Sequence, residues 1–165
     1  MKDLEKEKKI RKSIGFFFLI IILIFAFDHF FKLLAKNTGC FLIICFKNAI
    51  NTGAAFSLFA GFSWARILLV VVGIIILIIV GYFYFKNKDK RFLKIALVLI
   101  FAGTISNMLD RLFLGYVTDC FTLSFWRTFP TFNIADTSNL IGVIMLIVYL
   151  FKQPTISSKP RVRKR

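Results

Sequence analysis

Acidic residues are scarce in this chain, with eight Asp and Glu against 23 Lys and Arg, a formal charge of +15. On a soluble chain such an excess points to nucleic acid, so the placement of the charges decides their meaning. Histidine occurs once, at position 29, and cysteine three times, at positions 40, 45 and 120. These residues form no CxxC pair and no ligand cluster, so neither a zinc site nor a disulfide framework is indicated, and Cys40 and Cys45 read as apolar filler. Serine peptidase chemistry would want a placed Ser with His or Lys, yet His29 falls inside an apolar run, where it is expected to be buried, and no Ser stands near a Lys at that depth. Internal repeats are also missing, which disfavours a transporter. Apolar residues, by contrast, make up 58% of the chain, with 22 Phe, more than soluble globules carry. The solvent for most of the chain is therefore lipid.

A bilayer core takes about 20 apolar residues per helix. Four stretches meet or approach that length: Ile14 to Leu34, Ser63 to Phe85, Phe92 to Leu114, and Thr137 to Phe151. The fourth is short, and counting its lead-in from Phe132 brings it to bilayer length with Asn133 and Asp136 at its end. The first apolar stretch is too long for a signal peptide and lacks an A-x-A-like site, so it reads as a retained helix. Gly39-Cys40 hints at a lipobox, but Lys36 and Asn37 replace the apolar residues expected before one.

Six basic residues precede the first span, five surround the connection between the second and third (Lys86, Lys88, Lys90, Arg91, Lys94), and six follow the last. The stretch 36–62 holds only Lys36 and Lys47, and the stretch 115–135 only Arg127. The positive-inside rule then puts both termini in the cytoplasm and these two connections outside. The expected organisation is one domain: a basic cytoplasmic leader (1–13), a four-helix core (14–151) and a basic cytoplasmic tail (152–165). For the cluster Lys159 to Arg165, attraction to anionic lipid needs fewer assumptions than a nucleic-acid arm. Within the outer connections, Cys40 to Phe46 followed by Asn51-Thr52-Gly53 suits a short strand or hairpin, and the alternation from Phe121 to Phe125 suits a half-buried strand or interfacial segment, with Trp126 at headgroup level.

Four of the eight acids, Asp28, Asp110, Asp119 and Asp136, lie within or at the edges of apolar spans, where a charge is expensive and marks a function or a buried pairing. Asp28 and Lys32 are spaced to pair on one helix face, with substrate contact as the alternative. Gly103, Ser106, Asn107, Asp110 and Arg111 recur at helical spacing as one small and polar stripe, which serves equally as interhelical glue or as an active-site wall. Asn133 can cap the fourth helix with Asp136 in its first turn, which explains that acid without catalysis. Asp119 has no such partner on its own helix. It leaves the third span on the side where Asp136 enters the fourth, so the loop between them can bring the two together. Two carboxylates in contact share a proton, giving one base and one acid near neutral pH, enough to hydrolyse a peptide bond through water without a metal or cofactor. Two rivals remain: a small transporter using Asp28, Asp110 and Arg111 as a relay, and a scaffold whose polar stripe only holds helices together.

Further motifs stand in order along the chain: Asp28-x-x-x-Lys32, Asn51-Thr52-Gly53-Ala54-Ala55-Phe56, Gly103-x-x-x-Asn107-x-x-Asp110-Arg111, Gly115-Tyr116-Val117-Thr118-Asp119, and Phe132-Asn133-Ile134-Ala135-Asp136 followed by Gly142. In these, over roughly residues 14 to 150, the chain resembles the lipoprotein signal peptidase family, also called signal peptidase II. The resemblance implies a membrane all-α fold, a four-transmembrane-helix bundle with a small extracytoplasmic β-sheet and an interfacial loop, in a bacterial inner membrane. It implies an aspartic endopeptidase that cleaves diacylglyceryl-modified prolipoproteins just before the lipidated cysteine, is sensitive to globomycin-type inhibitors and has no nucleic-acid partner. Asp119 and Asp136 map to the catalytic dyad, and Asn51, Asn107, Arg111 and Asn133 to polar residues that orient substrate. Asp28, Lys32, Gly53, Asp110 and Ala135 map to supporting positions. The chain departs from the family pattern at Thr118, Cys120 and His29.

Overall fold

The structure, a computed structural model, describes residues 1–36, 39–54, 58–87, 89–126 and 128–153. Asn37, Ala55, Phe56, Lys88, Arg127 and the basic tail from 154 onward, all used in the sequence reading, lie outside the described residues. Helix α1 runs Lys2–Leu34, strands β1 and β2 run Gly39–Phe41 and Ile44–Asn51, helices α2 and α3 run Ala65–Lys86 and Arg91–Phe113, strand β3 runs Val117–Leu123, and helix α4 runs Ile134–Phe151. All four helices have the length and hydropathy to cross a membrane. The basic leader forms the first turns of α1, and α4 begins at Ile134 behind the Asn133 cap with Asp136 in its first turn, as its sequence predicts.

Helix α3 is central. It packs against α1, α2 and α4, whereas α2 and α4 scarcely meet. Its seam with α4 is set by missing side chains. A Cβ on Gly103 would stand 2.3 Å from the Ala135 carbonyl oxygen, and one on Gly142 would stand 2.8 Å from the Ala96 carbonyl oxygen. Small residues let backbones approach this closely, which is how membrane helices associate where no hydrophobic drive separates protein from lipid. Ser138 adds a bond across the seam, its Oγ donating to the Leu99 carbonyl at 2.9 Å. Gly103→Ala is expected to push the helices apart at a cost of about 1–3 kcal/mol. A lowered thermal unfolding midpoint in detergent would register it, and an unchanged midpoint would contradict the packing.

At the end of the bundle where α1 and α3 finish and α2 and α4 begin, the three strands form an antiparallel sheet ordered β1-β2-β3. Cys40 and Cys45 are directly opposed in the β1–β2 hairpin and are joined by a disulfide, which corrects their reading as apolar filler. The reason is register: a two-residue turn, with Leu42 at φ 55°, faces the two thiols across the strands, and the spacing alone does not announce it. Cys120 alone remains a free thiol, buried beside Ala35 and Phe121. Burial pushes its pKa up to about 12, so it packs rather than reacts.

Candidate active site

Strand β3 carries Asp119 and strand β2 ends at Asn51. In their antiparallel register Ala49 faces Asp119 and Asn51 faces Val117, so Asn51 and Asp119 are diagonal neighbours on one face of the sheet. Asn51 Nδ2 donates to Asp119 Oδ2 at 3.2 Å. The lead-in to α4 is drawn against the other edge of β3: Phe132 and Phe121 exchange backbone hydrogen bonds at 3.0 and 2.8 Å. That bridge, one residue before Asn133, is why acids 17 positions apart in sequence, 119 and 136, share a site.

Asn133 then does two things. Its Oδ1 accepts from the Asp136 backbone N–H at 2.8 Å while Asp136 Oδ2 accepts from the Asn133 N–H at 3.1 Å, closing a capping box on α4. Its Nδ2 donates to Asp119 Oδ1 and to Asn107 Oδ1, each at 3.1 Å. Asn107, from α3, donates in turn to Asp136 Oδ1 at 2.7 Å. The two carboxylates are therefore tied through a pair of amides, and Thr131 Oγ1 adds a longer contact to Asp119 at 3.4 Å. Asp119 is almost wholly buried. Burial and the neighbouring charge of Asp136 lift its pKa from 3.8 to about 6, against the smaller downward pulls of Asn51, Lys32 and Thr131.

Arg111 holds the loop after β2, with Nη2 donating to the Gly53 carbonyl at 2.7 Å and Nη1 to the Asn107 carbonyl at 3.3 Å. Gly53 N donates to Asn51 Oδ1 at 2.9 Å, fixing the amide that reaches Asp119. The Nε of Arg111 is buried without a partner among the described residues.

Beneath the two acids lies a second charged cluster. Lys32 donates to Asp28 Oδ2 at 2.5 Å and, across to α3, to Asp110 Oδ2 at 2.7 Å, and Ser106 Oγ donates to Asp28 Oδ2 at 2.7 Å. All four side chains are buried. Asp28 Oδ1 accepts from the Ala135 N–H at 3.1 Å, so this cluster grips the first turn of α4 one residue from Asp136. The expected Asp28–Lys32 pair is thus half of a three-charge arrangement. His29, expected to be buried, has a side chain 39% exposed on the outside of the bundle, with Nε2 3.5 Å from Asp110 Oδ1. Its position next to Asp28 turns it to the helix edge, because successive helical residues point about 100° apart.

Every residue singled out in the sequence as catalytic, substrate-orienting or supporting falls in this one network. Thr131 was not anticipated, and Ala135, expected as a supporting position, acts through its backbone N–H, which the motif does not tell. Nothing in the local pattern points to either, since Thr131 acts only once the lead-in to α4 meets β3 and the Ala135 amide only once α1 and α4 pack.

The family model for signal peptidase (SPase) II matches residues 20–152. The chain is 37% identical over 106 residues, 64% of its length and 68% of the relative's, to the lipoprotein signal peptidase of Lactiplantibacillus plantarum. It is 34% identical over 160 residues, covering 91% of this chain and 96% of the other, to the lipoprotein signal peptidase of Staphylococcus aureus. A solved structure of a bacterial membrane enzyme superposes with a TM-score of 0.76 at 30% identity, covering 92% of this chain and 94% of that one.

Proposed function

The chain belongs to the signal peptidase II family of peptidases, and on that premise we propose that it is an intramembrane aspartic endopeptidase that removes signal peptides from diacylglyceryl-modified prolipoproteins. It cuts on the N-terminal side of the lipidated cysteine, with Asp119 and Asp136 flanking the attacking water. The observation that carries this reading is the pair of amides, Asn133 and Asn107, that ties the two carboxylates into one unit. One carboxylate takes the water's proton while the other, protonated, donates to the scissile carbonyl, and the proton they share is restored at each turnover. Asn51, Asn107, Asn133 and Arg111 surround the water and the scissile peptide. The buried Nε of Arg111 is a donor left for substrate.

The basic residues in the leader and the α2–α3 connection support cytoplasmic termini in a bacterial inner membrane, which sets the site at the outer face. A lipid-anchored substrate then arrives by lateral diffusion. The rival relay through Asp28 and Asp110 is disfavoured, because both acids are already bonded to Lys32, one of them also to Ser106 and Ala135.

The test is incubation of the purified protein in detergent with a diacylglyceryl-modified prolipoprotein and, in parallel, its unlipidated precursor, followed by intact-mass measurement. Release of the signal peptide from the lipidated form alone, blocked by globomycin, is the expected result. An uncut lipidated substrate would sink the reading.

A carboxyl with a pKa of about 6 also puts a limb in the pH–rate profile near pH 6, belonging to the pair as a whole. The Asn51 amide favours ionised Asp119, so Asn51→Leu is expected to move that limb to higher pH. A limb that stays in place or moves toward acid would contradict the assignment.

A further inference from the structure

Three- and four-residue steps put Thr104, Asn107 and Arg111 on one strip of α3, and on α4 Asn139 follows Asp136 by three. Two polar rungs therefore cross the α3–α4 seam. The first is Asn107 to Asp136; in the second, Thr104 Oγ1 donates to Asn139 Oδ1 at 3.3 Å. The second rung lies one three-residue step, about 4.5 Å, further into the bundle.

This strip lies on the side of α3 between its contacts with α2 and with α4. Helix α2 meets α3 where Gly73 faces Met108 and Gly81 faces Phe101, and α4 meets α3 at Gly103 and Gly142. On the α3 helical wheel Thr104 falls between those two lines of contact, in the gap that α2 and α4 leave open by scarcely touching. Both Thr104 and Asn139 are half-buried. Polar groups at that depth carry a solvation cost that an apolar pair would avoid.

A peptide bond must be presented in extended form to be hydrolysed, and extended backbone in hydrocarbon has N–H and C=O groups that lipid cannot satisfy. The proposed substrate enters with its signal peptide deeper in the membrane than the scissile bond. Extended chain advances about 3.3 Å per residue, so a rung about 4.5 Å deeper meets the first or second peptide group on the signal-peptide side. Asn139 Oδ1 already takes the Thr104 hydroxyl, and among the hydrogen bonds of the described residues its Nδ2 has no acceptor.

We propose that Asn139, oriented by Thr104, is a substrate-binding residue whose side-chain amide donates to a backbone carbonyl one or two peptide groups before the scissile bond. The inference rests on the peptidase reading and deepens it.

The experiment sets two enzymes, wild type and Asn139→Leu, against three diacylglyceryl-modified substrates: the all-peptide one and two in which an ester replaces the peptide bond at one or the other of the two positions, removing its N–H and weakening its carbonyl as an acceptor. Wild type is expected to lose about 3- to 10-fold in kcat/KM on one of the esters, mainly through KM, while Asn139→Leu starts from that lower value and loses nothing further. Thr104→Val, which keeps the Asn139 amide but not its anchor, is expected to lose about 2- to 3-fold in the same direction. Equal ester losses in wild type and Asn139→Leu at both positions would overturn this inference and leave the peptidase reading intact. Failure of wild type to cut the all-peptide substrate would overturn both.

Discussion

Asp119→Asn is expected to lower cleavage by about 10⁴-fold and, at pH 7.5, to make the protein harder to unfold. The first effect follows from removing one member of an acid–base pair. The second follows from what that member costs the fold. Asp119 is buried beside a second carboxylate, and its pKa stands at about 6 against an ordinary 3.8. The unfolded chain ionises this group freely above pH 3.8, whereas the folded chain resists until about pH 6. The group therefore withdraws stability as pH rises through that window, in total about 1–3 kcal/mol once both states are ionised. Asparagine carries no charge and keeps an oxygen for the Asn133 amide; its NH2 cannot accept from Asn51, a loss of about 1 kcal/mol that sets off part of the gain. Thermal unfolding in detergent at pH 7.5 and at pH 4 checks the sign: the variant's advantage should be present at the first and shrink at the second. A variant that melts below wild type at pH 7.5, or that still cuts efficiently, would contradict the account.

Lys32→Met is expected to be the more damaging change to the fold. It leaves Asp28 and Asp110 facing each other in the bundle interior with their shared cation gone. Breaking a buried ion pair by removing one partner costs about 3–5 kcal/mol, because the remaining charge is stranded. The amount of folded protein in the membrane and its melting point should both drop sharply. Replacing the set together, with Asp28→Asn, Lys32→Met and Asp110→Asn, removes the stranded charges and should recover much of that stability. The Asp28→Asn change still leaves an oxygen for the Ala135 N–H, so the first turn of α4 keeps its anchor. A Lys32→Met protein as stable as wild type would show that the cluster is not holding the helices.

How far the site was legible in advance depended on the range of the interaction. Hydropathy and charge bias located the four spans and put Asp119 and Asp136 at one end, because lipid imposes its period on every residue of a span. The Asn133 cap on α4 was legible because capping is a matter of three residues. The Asp28–Lys32 pair was legible for the same reason, but its extension to Asp110, 78 positions from Lys32, was not. Nor was the grip of Asp28 on the Ala135 amide, which exists only after α1 and α4 pack. The Cys40–Cys45 disulfide was misread because it depends on hairpin register, which a one-residue slip would undo. His29 was misplaced because hydropathy reports that a residue lies in a span, not which way it faces. The chain motifs did what periodicity could not, assembling distant positions into one set.

The central claim is that Asp119 and Asp136 act as a single unit around one water. The most direct measurement is the single-turnover rate of Asp119→Asn, Asp136→Asn and the double variant on one lipidated prolipoprotein. Residues that share one proton lose their function together, so both single variants should be inactive to a similar degree and the double no worse than either. Near-normal cleavage by either single variant, or losses that multiply in the double, would contradict it.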